Sequence, residues 1–224
     1  MQSPPFTAGQ FFGVFRAYHE TFWPAPIVWN GLALACVIGV ARWRGRADRW
    51  IAGFLAALWV WVGTAYHIAT FTSINRAAWA FGTLFVLQGI FFAFSGVLGN
   101  HLRFGVDRGV RGVVGGVLIG YALVIYPLVG AALDHRYPEA PSFGLPCPST
   151  IFTFGLLLWT TARVPRHLLV IPVLWALIGS SAVFNWGVLE DAVMPLGAIL
   201  ATIMLLRRST PGQPAQQPAA GVNG

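Results

Sequence analysis

The sixteen residues His135–Thr150 read HRYPEAPSFGLPCPST, which places a histidine, a tyrosine, a carboxylate, a cysteine and four prolines between two long apolar runs. A thiolate together with imidazoles is the ligand set of a soft transition metal such as copper(I), zinc or mercury. Cys147, His67 and His135 would supply that set, with Glu190-Asp191 completing it. No ligand spacing of the kind found in structural zinc sites enforces such a grouping. Each residue also has a plainer reading. Cys147 between two prolines suits a structural role, His67 a buried and hydrogen-bonded core position, and Glu190-Asp191 a solvated turn. Hydrolytic or nucleophilic catalysis has no footing, because G-x-S-x-G, H-E-x-x-H and a phosphate-cradling glycine loop are all missing. All fourteen basic residues are arginine, which excludes a lysine Schiff base. The expectation is therefore no enzyme and no resident cofactor, with a soft metal as the one alternative.

These residues must be positioned by helices in a membrane. The chain is 56% hydrophobic and 9% charged, against about 25% charged for soluble domains. Several apolar runs reach the roughly 20 residues that cross a bilayer core. Seven spans can be drawn: Ala25–Arg42, Trp50–Thr72, Ala77–Gly99, Val110–Leu133, Ser149–Ala162, Leu168–Val188 and Ala192–Leu206. The fifth is short. Eleven of the fourteen arginines fall on one side of this arrangement, leaving Arg16, Arg76 and Arg136 on the other. The positive-inside rule then places the N-terminus outside and the C-terminus in the cytoplasm. The same distribution explains the net charge of +7 without nucleic acid. Two cysteines are too few for a disulfide framework. MQSPPFTAGQ lacks the charged n-region of a cleavable signal, so the first span is expected to remain in the mature protein.

The predicted organisation is all-α: an N-terminal segment over residues 1–24, a polytopic transmembrane bundle over 25–208 and a disordered tail over 209–224. Thr7 and Gln10 form an S/T-x-x-Q capping box. Phe11, Phe12, Phe15, Tyr18 and Phe22 then crowd one face of an interfacial amphipathic helix. Gly112-x-x-x-Gly116-x-x-x-Gly120 offers small residues for close packing within the bundle. Leu58-Trp59-Val60-Trp61-Val62-Gly63-Thr64 and Leu174-Trp175-Ala176-Leu177-Ile178-Gly179-Ser180 share L-W-x-x-[VI]-G-[ST]. With matching Pro-x-Pro segments before them, they suggest a parallel 3+1+3 repeat such as transporters use.

Given that topology, the polar residues gather toward the outer side. Asn30, His67, Thr153 and Asn185 fall in the outer third of their spans, Gln88 lies near the midplane and Tyr126 near an outer end. His135, Tyr137 and Thr150 come from the proline-rich loop, which is predicted to fold over the outward mouth. Together they are the candidate contacts for a small solute.

FGTLFVLQG (81–89), YPLVG (126–130), HRYPEAPSFGLPCPSTIFTFG (135–155) and LLVIPVLWALIGSSAVF (168–184) resemble an uncharacterised family of bacterial integral membrane proteins, some of which carry a generic permease label. The resemblance covers nearly all of the chain except the tail. It implies a multi-pass protein of the bacterial inner membrane and brings no established catalytic or ligand residues. The residues themselves point to a permease-like protein binding a small solute in an outward-facing cavity. A non-transporting sensor or assembly subunit is the alternative, and a metal-handling membrane protein is the third reading. Beyond the lipid bilayer and such a solute, no partner or oligomeric state is specified.

Overall fold

The computed structural model describes residues 6–43 and 45–207, and within them the chain is all-helical, with no extended strand. Eight helices follow one another: α1 Ala8–Phe22, α2 Ala25–Trp43, α3 Asp48–Ser73, α4 Ala78–Leu98, α5 Val110–Ala132, α6 Pro146–Leu158, α7 His167–Trp186 and α8 Leu189–Leu206. Six of them, α2–α5, α7 and α8, are long and apolar enough to cross a membrane. Their outward faces match that role. Val110, Val113, Val117, Val124 and Leu128 form an exposed stripe on α5, and an apolar surface of this extent has to be covered by something other than water.

The expected fifth span is a shorter helix than its neighbours. Its helix, α6, has 13 residues, about 20 Å at 1.5 Å per residue, short of the roughly 30 Å hydrocarbon layer. Every residue of α6 except Cys147 is buried. It lies inside the bundle, packed by α3, α5, α7 and α8, while α2, α3, α4, α7, α8 and α5 neighbour one another around it. Pro146 opens the helix, where a missing N–H costs nothing. Close approach to α5 depends on a glycine pair. A Cβ on Gly115 would lie 2.9 Å from the Gly155 carbonyl, and one on Gly155 at the same distance from that of Gly115. The predicted seam through Gly116 and Gly120 is therefore displaced by one residue: a Cβ on Gly116 meets only Trp159 at an ordinary 3.5 Å, and Gly120 faces open space.

Three helices contain π turns, at Val62–Ile68 in α3, Ala93–Leu98 in α4 and Tyr121–Ile125 in α5. The last precedes Pro127, whose ring removes a helical donor, and the wider turn accommodates that loss. At the arginine-rich end, Asp48 ties the 99–109 connection to α3. Its Oδ1 accepts from the Phe104 N–H at 2.8 Å and its Oδ2 from Arg103 at 3.4 Å. Phe104 also bridges to Thr160, so one short pairing joins the connection to the end of α6.

At the opposite end α1 lies across the bundle. The capping box is present: Gln10 N–H donates to Thr7 Oγ1 at 3.2 Å and Thr7 N–H to Gln10 Oε1 at 2.9 Å. The aromatic face of α1 is turned onto the protein, with Phe11, Phe15 and Tyr18 buried. The tail predicted over 209–224 lies outside the described residues.

Candidate functional site

The shortness of α6 leaves space above its N-terminus, and that space is a cavity of about 230 Å³. Leu145, Pro146, Cys147 and Pro148 form part of its wall, α1 contributes Phe11 and Phe15, and the segment before α1 contributes Phe6. Trp186 is stacked against two of these rings, with centroids 4.6 Å from both Phe6 and Phe11. Tyr66, Phe71, Phe81 and Trp175 continue the aromatic lining from α3, α4 and α7. Polar atoms come from Asn75, Ser181, Asn185 and Asp191.

The proline-rich connection from α5 to α6 closes over α1. Arg16 and Glu139 form an ion pair at the surface. Beneath it, His19 is fully buried, its Nδ1–H donating to the Pro138 carbonyl at 2.6 Å while Nε2 accepts from Ser142 Oγ at 2.8 Å. Burial holds this imidazole below its usual pKa, partly opposed by the Pro138 carbonyl. Tyr18 completes the joint: it accepts from Trp61 Nε1 at 2.8 Å and donates to the Gly144 carbonyl at 3.3 Å. Burial pushes its phenol up to about 12, so the donor is retained at neutral pH.

Below the rings lies a buried acid pair. Asp191 is 2% exposed and Glu190 is fully buried. Tyr126 donates to Asp191 Oδ1 at 2.5 Å, and the Cys147 thiol lies beside the same carboxylate. Glu190 Oε1 is paired with His135 Nδ1 at 2.9 Å, and Tyr121 donates to the Glu190 backbone carbonyl at 2.7 Å. Glu190 Oε2 has no partner. The expected solvated turn is thus corrected: the helix begins at Leu189, so both acids lie within it, and packing by α5 and the 133–145 connection excludes water from them.

The remaining candidates divide. Asn185 and Cys147 line the cavity, and Tyr126 and His135 support its acidic floor. Four others are engaged elsewhere. Asn30 donates to Pro26 of its own helix at 2.8 Å, and Gln88 Nε2 donates to the Leu168 carbonyl at 3.0 Å. Thr150 donates to the Pro146 carbonyl at 2.8 Å. Thr153 accepts from Trp59 Nε1 at 3.0 Å and donates to Ser149 at 2.7 Å. Tyr137 is exposed, resting against His19 and Trp23.

His67 does not fit its plainer reading. It is fully buried, yet neither ring nitrogen has a hydrogen-bond partner. It sits in the π turn of α3 among rings, with Phe85 at 4.7 Å and Trp175 edge-on at 4.9 Å. Among the described residues no three His, Cys, Asp or Glu side chains gather as a metal site. The Cys147, His67 and His135 trio is not assembled, since the first contacts Asp191, the third is held by Glu190, and His67 is enclosed by hydrocarbon.

Fold and site together define an all-helical bundle of six membrane-length helices with a capped aromatic cavity at one end. The chain belongs to a family of unknown function (DUF6064), which matches residues 8–213. No curated protein and no solved structure matches it.

Proposed function

We propose that the chain is a permease-like integral membrane protein that binds a small solute in the α1-capped cavity. The observation that carries this reading is the cavity itself, an aromatic-lined space with a buried carboxylate at its floor. Buried acidic groups at membrane depth are costly and mark solute or ion pathways. The arginine distribution supports a cavity on the outer side of the membrane, in line with the proposed bacterial inner-membrane location. The repeated architecture rests on the two L-W-x-x-[VI]-G-[ST] motifs of the sequence. A binding protein that does not transport is favoured by one feature. Beneath the cavity, Trp59, Phe85, Phe92 and Phe152 are fully buried and seal the interior toward the arginine-rich end.

Two measurements test the proposal. Melting of the detergent-purified protein against a panel of small polar and amphipathic solutes reports binding, since a ligand of the folded state raises the midpoint with its saturation. Uptake of any stabilising solute into proteoliposomes then decides passage. A stabilising solute that is also accumulated or equilibrated supports the permease reading. Binding without flux assigns the sensor or accessory role, and a silent panel overturns solute binding.

A further inference from the structure

The cavity also indicates which solute it takes, an inference that rests on the solute-binding reading above. Its lining carries one carboxylate, Asp191, and no arginine or histidine. Of the two buried acids, Glu190 has the His135 imidazole as a hydrogen-bond partner, whereas Asp191 has only the neutral neighbours Tyr126 and Cys147 and no cationic partner among the described residues. A buried carboxylate without a counter-charge is strongly unfavourable, and it is relieved either by a proton or by a cation in the adjoining cavity. The rest of the wall is largely aromatic, and the electron-rich faces of such rings attract cations, most of all weakly hydrated organic ones. An alkaline-earth ion is a poor match, because it requires six or more oxygen ligands. A soft metal finds a single thiol here. The volume of about 230 Å³ lies below the roughly 300–1,000 Å³ of drug-sized sites, so the occupant is fragment-sized. Trp175 adds a further requirement. Its indole N–H is buried with no hydrogen-bond partner, and only the weakly accepting Cys147 thiol lies alongside. An oxygen on the ligand would satisfy it.

We propose that the solute is a small organic cation, an amine or quaternary ammonium compound bearing an oxygen acceptor, with its charged centre against Asp191 and its alkyl groups among the aromatic rings. The test compares choline with its neutral isostere 3,3-dimethylbutan-1-ol on the full-length protein in detergent, read as melting midpoint against concentration. Choline is expected to stabilise at concentrations at least tenfold lower than the isostere. Asp191→Asn, which preserves a hydrogen-bond acceptor for Tyr126, is expected to erase that preference while the empty variant melts no lower than wild type. If choline and the isostere act equally on the wild-type protein, the cation assignment falls and solute binding stands. If neither acts, the assignment also falls, and solute binding falls with it only when the wider panel is silent. An Asp191→Asn variant that melts lower yet keeps the tenfold preference overturns the role given to Asp191, because the carboxylate is then structural.

Discussion

The two ends of this bundle use buried acids in opposite ways. At the arginine-rich end Asp48 is 2% exposed but fully engaged, taking the Phe104 N–H on one oxygen and Arg103 on the other. That end joins helices through backbone and charge, and the hollow beside it is an open groove. At the capped end Asp191 is equally buried, but its neighbours are a phenol and a thiol, and the adjoining space is lined by aromatic rings. One acid closes a structural joint; the other lies beside a cavity with no cationic partner among the described residues. Equal burial therefore carries no functional meaning until the partners are counted.

The contrast can be broken most forcefully at Asp48. Asp48→Ala leaves the Phe104 N–H buried without an acceptor and is expected to cost about 2–3 kcal/mol. Chemical or thermal denaturation in detergent would show it, with solute binding by the surviving folded protein unchanged. Lost binding at intact stability would show that the two ends are coupled. The next effect has the opposite sign. His67→Phe replaces two unsatisfied buried nitrogens with hydrocarbon in an aromatic nest, and is expected to raise stability by roughly 1 kcal/mol. A loss of stability instead would reveal a partner for His67 in the folded protein.

Smaller still is the pH response of the cap. The folded protein holds His19 neutral, with its pKa below the usual value, whereas the unfolded chain takes up a proton near pH 6.5. The unfolded state therefore binds more protons as pH falls, so stability is present above that pH and declines below it. Protection factors of the amides in residues 133–145, with exchange corrected for its intrinsic pH dependence, should fall between pH 7.5 and 5.5, and His19→Gln should flatten that dependence. The smallest effect belongs to the surface pair. Both Arg16 and Glu139 are about half exposed, and Arg16→Gln should shift stability by less than about 0.5 kcal/mol. A larger shift would give the ion pair a part in holding the cap.

Local and compositional features were the most legible in the sequence. The capping box at Thr7 and Gln10 follows from two side chains three residues apart, and the six long helices follow from apolar runs of sufficient length. Their neighbour α6 shows where that reasoning stops. Leu156-Leu157-Leu158 continues into Trp159, so composition does not separate a helix surrounded by protein from one that faces lipid. The acids were hidden by a boundary: starting the last helix at Ala192 instead of Leu189 puts Glu190 and Asp191 in a loop, where charges are unremarkable. An acid pair flanked by Val188-Leu189 and Ala192-Val193 was the available signal. The aromatic lining was not legible at all, since Phe6, Phe11, Trp175 and Trp186 meet only through tertiary packing.

The placement of α6 has a consequence for how the chain is made. A segment about 20 Å long with nearly every side chain turned toward protein has no stable resting place alone in a bilayer. It has to enter with, or after, helices that can already shelter it. Four of the five helices before it, α2–α5, are of membrane length, and α5 presents the glycine against which it docks. The order of the genetic text is thus also an order of assembly: the wall is laid first, the core helix is received by it, and α7 and α8 close behind.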